Sequence, residues 1–326
     1  MRQFLLSFFC LASLAISAQI RFKDDTFTGF TLDKDLSYGD KKLFDLYQPK
    51  DDTASRRPLM IWMHGGGFKF GSRHAAGTRL WCRTFAGRGY VCAAIDYQLG
   101  KKNFKFTFAD LLDNCQAAVQ DVRKAVAYFK ANAARWHLDT TRIILAGNSA
   151  GGMLALQAVY SNGAELQGLP RTKEAAVSGW DAANLSANGA AGGSTGRAGS
   201  GGGSDRGGVD SMGIAAIVNY WGGIFDTLWL RQARVPIVSV QGDRDGIVPY
   251  DPYSPDDHRG YPLFGSLPIH RMADALGIPN ALKTYTGYSH ELQKHFFPLV
   301  TGRRTKKRWR EAGQFTADFL YTTLFR

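Results

Sequence analysis

A serine within a glycine-bounded pentapeptide is the first residue in this sequence that could do chemistry. Residues 147–151 read Gly-Asn-Ser-Ala-Gly, which puts Ser149 at the centre. An apolar strand pattern at 142–147 precedes the serine, and a helical pattern follows it directly. Small flanking residues tolerate the strained strand-to-helix turn that exposes a nucleophilic hydroxyl. The alternative is an idle serine in a glycine-rich turn, so the other catalytic groups must decide.

A second glycine-rich segment could stabilise negative charge. Residues 64–68 read His-Gly-Gly-Gly-Phe and follow another apolar strand pattern, at 58–64. Glycines let the backbone turn its N–H groups towards an oxygen that becomes negative during acyl transfer. A plain loop after a strand is the alternative.

A nucleophilic serine needs a general base, and the sequence offers seven histidines. They are His64, His74, His137, His258, His270, His290 and His295. We favour His290, because it lies in a loop after the apolar segment 281–285, and catalytic loops follow the carboxyl ends of parallel strands. His295 is the reserve candidate.

The base in turn needs an orienting carboxylate. Residues 242–249 read Gly-Asp-Arg-Asp-Gly-Ile-Val-Pro and follow the apolar run at 235–241. We favour Asp245 as the acid and keep Asp243 as the alternative. The chain order is then Ser, Asp, His.

The elements that must position these residues alternate between strand and helix. Short runs that are apolar throughout, as at 58–64, 90–96 and 214–221, are typical of strands buried on both faces. Apolar residues in 109–130 repeat at helical spacing. Segments 30–37 and 42–48 read as a leading β-hairpin, and 266–276 and 307–322 read as helices. The pattern predicts an α/β fold, a mostly parallel doubly wound sheet without a large cap domain.

These four motifs, in this order, resemble the α/β-hydrolase serine esterases, especially microbial carboxylesterases with an H-G-G-G loop. The resemblance covers roughly residues 40–325 and implies the α/β-hydrolase fold. It implies Ser149 as nucleophile, His290 as base and Asp245 as acid. The acid motif is similar to that of small uncapped esterases, including acetylxylan and feruloyl esterases. Asn148 replaces the aspartate that hormone-sensitive-lipase-like enzymes usually carry before the serine.

The resemblance also implies an oxyanion hole made by the backbone amides of Gly65, Gly66 and Ala150. The implied reaction is ester hydrolysis through an acyl-enzyme, which needs no metal and no other cofactor. We expect short-chain or carbohydrate-linked substrates with acetyl or hydroxycinnamoyl groups. The alternatives are a polyester hydrolase, a serine peptidase of the same fold, and a non-catalytic binding module.

Aromatic residues near the catalytic edge of the predicted sheet could bind the substrate. Phe68 and Trp221 follow strand patterns, and the connection 246–265 adds Tyr250, Tyr253, Tyr261 and Phe264. We expect Phe68, Trp221 and Tyr250 to contact substrate. Only about a dozen residues separate Trp221 from the next strand pattern, which leaves no room for a lid.

Two segments stand outside the predicted core. Residues 1–18 begin with a positive charge, continue with an apolar run at 4–16 and end in small residues. This is typical of a secretory signal peptide and predicts a secreted or periplasmic protein. Residues 189–208 contain ten glycines and three serines, and we predict a flexible insert at about 186–208. The remaining chain, 19–326, is expected to form one catalytic domain.

Charge and cysteine content limit the partners further. The formal net charge is +12, and residues 303–310 carry six basic side chains and no acid. We expect a solvated helix face there, which could meet anionic surfaces. Nothing indicates nucleic-acid binding or stable membrane insertion. Cys82, Cys92 and Cys115 fall on different faces of the expected fold or within a strand, so we predict three buried free thiols.

Overall fold

The structure is a computed structural model that describes residues 20–100, 107–172, 212–251, 263–295 and 301–326. The predicted signal peptide at 1–18 and the glycine-rich insert at about 186–208 lie outside the described residues. So do Tyr253 and Tyr261.

Eight strands among the described residues form one sheet in the order β1-β2-β4-β3-β5-β6-β7-β8. The strands are β1 (Phe30–Gly39), β2 (Lys42–Pro49), β3 (Arg57–Met63), β4 (Val91–Ile95), β5 (Leu138–Asn148), β6 (Ile214–Tyr220), β7 (Ile237–Gly242) and β8 (Asn280–Tyr285). The β1–β2 hairpin is antiparallel, and β2 pairs antiparallel with β4. The pairs formed among strands β3 to β8 are all parallel. The predicted α/β class and leading hairpin are therefore confirmed.

Helices cover both faces of this sheet. They are α1 (Ala76–Ala86), α2 (Phe108–Ala131), α3 (Ala150–Tyr160), α4 (Gly163–Gly168), α5 (Ser266–Ala275) and α6 (Arg303–Leu324). Buried residues of α2, α3 and α5 form one hydrophobic core with the sheet. Those of α1 and α6 form a second core on the opposite face. Strands β3 and β4 are buried at every position, which explains their near-continuous apolar sequence.

The start of α2 shows how the local sequence sets the first residue of a helix. Thr107 Oγ1 accepts a hydrogen bond from the Asp110 amide (3.1 Å), and Asp110 Oδ2 accepts one from the Thr107 amide (2.8 Å). This reciprocal capping box satisfies two backbone donors that a helix start leaves unpaired.

Helix α6 begins at Arg303, four residues before the predicted start at 307. The basic residues 303–306 therefore belong to the helix.

The three predicted free thiols are confirmed. Cys115 lies in the core beneath α2, whereas Cys82 and Cys92 lie in the core beneath α1. Burial raises the pKa of all three thiols. They are therefore inert packing groups. No helix in the described ranges is long and apolar enough to cross a bilayer.

Candidate active site

Ser149 lies at the sharp turn between β5 and α3. Its backbone has φ 53° and ψ −121°, which is a strained conformation for a residue with a side chain. A Cβ on Gly147 would lie 2.3 Å from the carbonyl carbon of Gly151, and a Cβ on Gly151 would lie 2.1 Å from the oxygen of Met63. Both flanking positions of the pentapeptide therefore require glycine, and the turn has the geometry of a nucleophile elbow.

His290 lies against this serine. Its Nε2 is 2.9 Å from Ser149 Oγ, although the two residues are 141 positions apart in the chain. Its Nδ1 lies 2.8 Å and 3.0 Å from the two carboxylate oxygens of Asp245. A carboxylate only accepts hydrogen bonds, so Nδ1 carries the proton and Nε2 accepts from the serine. The three residues predicted as a triad are thus brought together.

The Asp245 carboxylate is itself held in place by four donors. Oδ1 accepts from the amides of Ile247 (3.0 Å) and Val248 (3.1 Å), and Oδ2 accepts from Gln241 Nε2 (3.2 Å). The fourth donor is His290. The alternative acid, Asp243, accepts from the amide of Gly287 (2.7 Å) and so shapes the loop that carries the histidine.

The protonation of His290 is set by two opposing effects. Burial lowers its pKa, but the Asp245 carboxylate and, more weakly, Glu291 raise it, and the net result lies above the usual 6.5. The histidine therefore becomes a stronger base at the place where it must take the serine proton.

The glycine loop runs alongside the serine turn. Gly66 (φ 127°) and Gly67 (φ 59°) have the positive φ values that favour glycine. A Cβ on Gly65 would lie 2.7 Å from the Asn148 side-chain nitrogen and 3.2 Å from the Ser149 Cβ, so this loop touches the elbow directly. Ala150 is the first residue of α3, and the first amides of a helix have no intrahelical acceptor. Gly65 and Ala150 therefore lie next to Ser149, and the oxyanion hole made by the amides of Gly65, Gly66 and Ala150 stays a prediction.

His64 organises the glycine loop and is not a rival base. Its Nδ1 donates to the carbonyl of Gly65 (2.8 Å), and its ring stacks on Tyr97 with centroids 4.3 Å apart. Tyr97 Oη also donates to the His64 carbonyl (2.7 Å). Burial lowers the pKa of His64, which keeps the ring neutral. No motif marked Tyr97, although its position after the apolar run at 90–96 placed it at the same sheet edge.

Two residues of α6 support the histidine loop and were not predicted. Trp309 Nε1 donates to the carbonyl of Glu291 (2.8 Å), and Arg308 Nε donates to the carbonyl of Leu292 (2.8 Å). The Arg308 guanidinium also lies 4.2 Å from the Tyr288 ring centroid. Within the basic run, Arg308 is therefore a structural residue. The other five basic side chains of that run are exposed, as a solvated face requires.

A cavity of about 240 Å³ opens beside Ser149. Its wall is mostly apolar and is made by Phe68, Phe70, Leu111, Met153, Ile247, Val248 and Leu263, with Gly66, Gly67, Lys69 and Ala150. Phe70 and Ile247 are the most exposed large apolar side chains at this site, at 56% and 41%. Phe68 thus lies where a substrate contact was predicted.

Trp221 and Tyr250 do not line this cavity, so the predicted aromatic pocket needs correction. Trp221 is fully buried in the opposite core, where it packs against Trp81 and Trp309. Tyr250 Oη shares a hydrogen bond with Thr284 Oγ1 (2.6 Å), which holds its ring on β8. Phe264, also expected in this wall, is fully buried and pairs through its backbone with Ile224.

One described cluster has the residue types of a metal site. Asp35, Asp45 and His74 have ligand atoms within 4.8 Å of one another. However, the buried Arg73 guanidinium bonds to Asp35, Asp45 and Asp96. The cluster is therefore part of an ion-pair network centred on Arg73.

Comparison with known proteins gives a consistent result. The BD-FAE family model matches residues 44–179, a range that contains both the glycine loop and the serine turn. Esterase LipC of Mycobacterium tuberculosis is 31% identical over 144 residues, covering 43% of this chain and 33% of that protein. Gut esterase 1 of Caenorhabditis elegans is 28% identical over 127 residues, covering 38% and 22%. The chain therefore spans one third or less of the length of these curated relatives.

Solved structures extend the likeness over most of the fold. Esterase 2 of Thermogutta terrifontis, phosphorylated by paraoxon, has a TM-score of 0.56 at 20% identity, covering 94% of this chain and 98% of that one. The fold, the serine–histidine–aspartate geometry and the matched sequence range agree with one another. The chain therefore has the α/β-hydrolase fold, and part of its sequence is similar to esterases.

Proposed function

We propose that this protein is a secreted serine carboxylesterase that hydrolyses short-chain or carbohydrate-linked esters, acetyl or hydroxycinnamoyl, through an acyl-enzyme. The observation that carries the proposal is the contact of His290 with both Ser149 Oγ, at 2.9 Å, and the Asp245 carboxylate. These hydrogen bonds place a nucleophile, a general base and an orienting carboxylate in contact with one another.

The reaction follows from these contacts. His290 Nε2 takes the hydroxyl proton of Ser149 as its oxygen attacks the ester carbonyl carbon. The carbonyl oxygen becomes negative, and the amides of Gly65, Gly66 and Ala150 donate to it. The tetrahedral intermediate collapses, the C–O bond to the alcohol breaks, and His290 returns the proton to the leaving oxygen. A water then attacks the acyl-enzyme by the same route and releases the carboxylic acid.

The size of the cavity argues for a small acyl group. At about 240 Å³ it lies below the range of roughly 300–1,000 Å³ typical of sites for drug-sized ligands. Its apolar wall suits a short alkyl or a single aromatic acyl group. The exposed Phe70 and Ile247 at its mouth would contact the remainder of the substrate.

The first experiment tests the nucleophile. The parent, Ser149→Ala and the control Ser37→Ala, which changes an exposed hairpin serine, would be assayed with p-nitrophenyl acetate and labelled with a fluorophosphonate probe. We expect label and turnover in the parent and the control, and a loss of several orders of magnitude in Ser149→Ala. Full activity in Ser149→Ala, with an unchanged circular dichroism spectrum, would refute a serine hydrolase.

The second experiment tests the substrate class. Methyl ferulate, acetylated xylan, a soluble polyester and a peptide amide would be compared with p-nitrophenyl acetate, butyrate, octanoate and palmitate. Esterase 2 of Thermogutta terrifontis has been solved with propionate and with butyrate bound. The substrates are therefore chosen with acyl chains both shorter and longer than these acids. We expect kcat/KM to fall beyond medium chain length and the peptide amide to be inert. Faster cleavage of the peptide amide than of any ester would make the protein a peptidase.

Export is tested separately, because it depends on the apolar leader at 4–16. Full-length protein expressed in a bacterium should be found outside the cytoplasm, with an N-terminus at about Gln19 by mass spectrometry. A chain that keeps Met1 or its following residue would show that the leader is not cleaved there.

A further inference from the structure

A larger cavity lies at the opposite end of the sheet from Ser149. It is open to solvent and has a volume of about 590 Å³ between β1, the end of β2, the start of β3 and the turn before β5. His137 lies at its wall, and the eleven residues of β5 separate this histidine from Ser149. Strand β3 covers the same length of the sheet, Leu138 to Gly147, in seven residues, so at about 3.3 Å per residue the two sites lie roughly 20–25 Å apart. We call this cavity the Arg57 pocket, after the buried residue in its wall.

Arg57 is 5% exposed, and most of its hydrogen-bonding capacity is unused. Nη2 donates to Gln48 Oε1 (2.9 Å) and to the carbonyl of Trp136 (2.6 Å), which are both neutral acceptors. Nε is buried without an acceptor, and Nη1 donates to none of the described residues. The guanidinium also forms no ion pair within the described part of the chain.

The acidic side chains of Asp52 and Asp139, near Arg57, form ion pairs with other arginines. Asp52 pairs with Arg21 (2.7 Å), and Asp139 pairs with both Arg56 (2.9 Å) and Arg142 (2.9 Å). A buried charge without a direct ion pair is costly, because it has lost its water. Burial lowers the pKa of Arg57, the Asp52 carboxylate offsets part of that effect, and an arginine stays charged in proteins.

The rim of the pocket adds positive charge. Arg135 and Lys34 are exposed, and neither forms an ion pair with any described residue. Asp33 is the one carboxylate in the wall, and its Oδ2 accepts from Gln48 Nε2 (3.2 Å). With three cations, including Arg57, and one carboxylate, the Lys, Arg and Asp side chains of the lining have a formal charge of +2. Half-buried Leu32 and Leu36 supply apolar contact area.

We propose that the Arg57 pocket is a binding site for a sugar-sized molecule that carries a carboxylate or a phosphate group. The anionic group accepts from Arg57 Nη1 at the bottom of the pocket and from Arg135 or Lys34 at the rim. A volume of about 590 Å³ is too large for a bare ion and fits a small organic ligand. A site of this kind would hold an acidic sugar unit at the end of the sheet opposite Ser149. The inference does not depend on the proposed esterase activity.

The test is isothermal titration calorimetry of the full protein with galacturonate, glucose 6-phosphate, inorganic phosphate and neutral glucose. We expect galacturonate or glucose 6-phosphate to bind with a millimolar or lower Kd, and glucose to bind at least about tenfold more weakly, because charge-assisted hydrogen bonds are the strong ones. The two sugars distinguish a carboxylate from a phosphate ligand.

Charge variants on the pocket wall locate the binding. Arg135→Gln and Lys34→Gln should each weaken binding severalfold, and Arg57→Gln should abolish it. Asp33→Asn should tighten binding, because it removes the one negative charge and keeps an oxygen acceptor for Gln48. Arg310→Gln, an exposed arginine on α6, is the matched control and should change nothing.

Three results would overturn the proposal. The first is the absence of a heat of binding for both anionic sugars at roughly 20 mM ligand, about twenty times a Kd of 1 mM. The second is binding that Asp33→Asn, Lys34→Gln and Arg135→Gln leave unchanged. The third is binding of inorganic phosphate but of neither anionic sugar. Since Arg57→Gln could unfold the chain, the three exposed variants decide the matter, and their turnover of p-nitrophenyl acetate or their melting temperature reports that they are folded.

Discussion

Replacing Asp245 with asparagine should inactivate the enzyme by reversing the imidazole tautomer. Oδ1 accepts from two backbone amides, those of Ile247 and Val248. Only an oxygen can occupy that place, so the asparagine must put its nitrogen at the position of Oδ2, which lies 2.8 Å from His290 Nδ1. Two donors would then face each other unless Nδ1 loses its proton. The ring would carry its proton on Nε2 and could no longer accept from Ser149.

The size of the effect follows from the role of the acid. In triads of this arrangement the same substitution lowers kcat by about 10⁴-fold, which corresponds to about 5 kcal/mol of transition-state stabilisation. Asp245→Asn keeps the shape and both amide contacts, so the melting temperature should move by only a few degrees. The matched control is Asp243→Asn, in which the amide oxygen can still accept from Gly287. Its activity should stay within about threefold of the parent, because it loses no hydrogen bond to a reacting group.

The assay is kcat/KM for p-nitrophenyl acetate, combined with nitrogen NMR of the imidazole. The parent should show a proton on Nδ1 of His290, and Asp245→Asn should show it on Nε2. The reasoning is refuted if Asp245→Asn retains a tenth or more of the parent rate, or if Asp243→Asn is the more damaging change. The second outcome would make Asp243 the acid.

Three further predictions concern the surroundings of the triad. A Cβ on Gly66 would lie 2.1 Å from a loop carbonyl oxygen, so Gly66→Ala should displace the loop and lower kcat by about a hundredfold. A Cβ on Gly67 meets nothing within 4 Å, so Gly67→Ala should lower the free energy of unfolding by only about 1–2 kcal/mol, measured by thermal melting. Because the pKa of His290 is raised above 6.5, kcat/KM should fall as the pH drops through a midpoint above 6.5. A midpoint near 5 in the pH profile would contradict the conclusion that Asp245 outweighs the effect of burial on this pKa. Trp309→Phe removes the hydrogen bond from the indole to the Glu291 carbonyl, next to His290. The loss of about 1 kcal/mol should lower kcat severalfold and leave KM nearly unchanged. An unchanged kcat would mean that the histidine loop does not need this hydrogen bond.

The chemistry of Ser149 was predictable because its requirements are local. A strained turn between a strand and a helix needs small neighbours within two residues, and both neighbours are visible in the sequence. The glycine loop is equally local, since positive φ values at Gly66 and Gly67 are read from the residue type itself. Strands β3 and β4 were evident for a similar reason, because burial on both faces leaves an unbroken apolar run.

The partners of these residues depended on contacts between distant parts of the chain. Sequence reasoning proposed His290 and Asp245 from their order after strand patterns, but left Asp243 open, because two residues of spacing on one loop do not tell which carboxylate points at the histidine. The structure places Asp245 against the ring and Asp243 against Gly287.

Side-chain direction explains the remaining differences. Trp221 follows β6 at the expected edge of the sheet, yet its ring turns into the core beneath α6, because packing against Trp81 and Trp309 removes it from water. The Arg57 pocket had no sequence signal, since its wall combines residues 32–57 of the leading strands with the distant turn at 135–137. The sequence by itself therefore determined the fold class and singled out Ser149 as the candidate nucleophile, because short-range patterns encode both. Only the tertiary structure decided which long-range neighbours each side chain meets, because packing chooses among rotamers and loop paths that the local sequence leaves equally open.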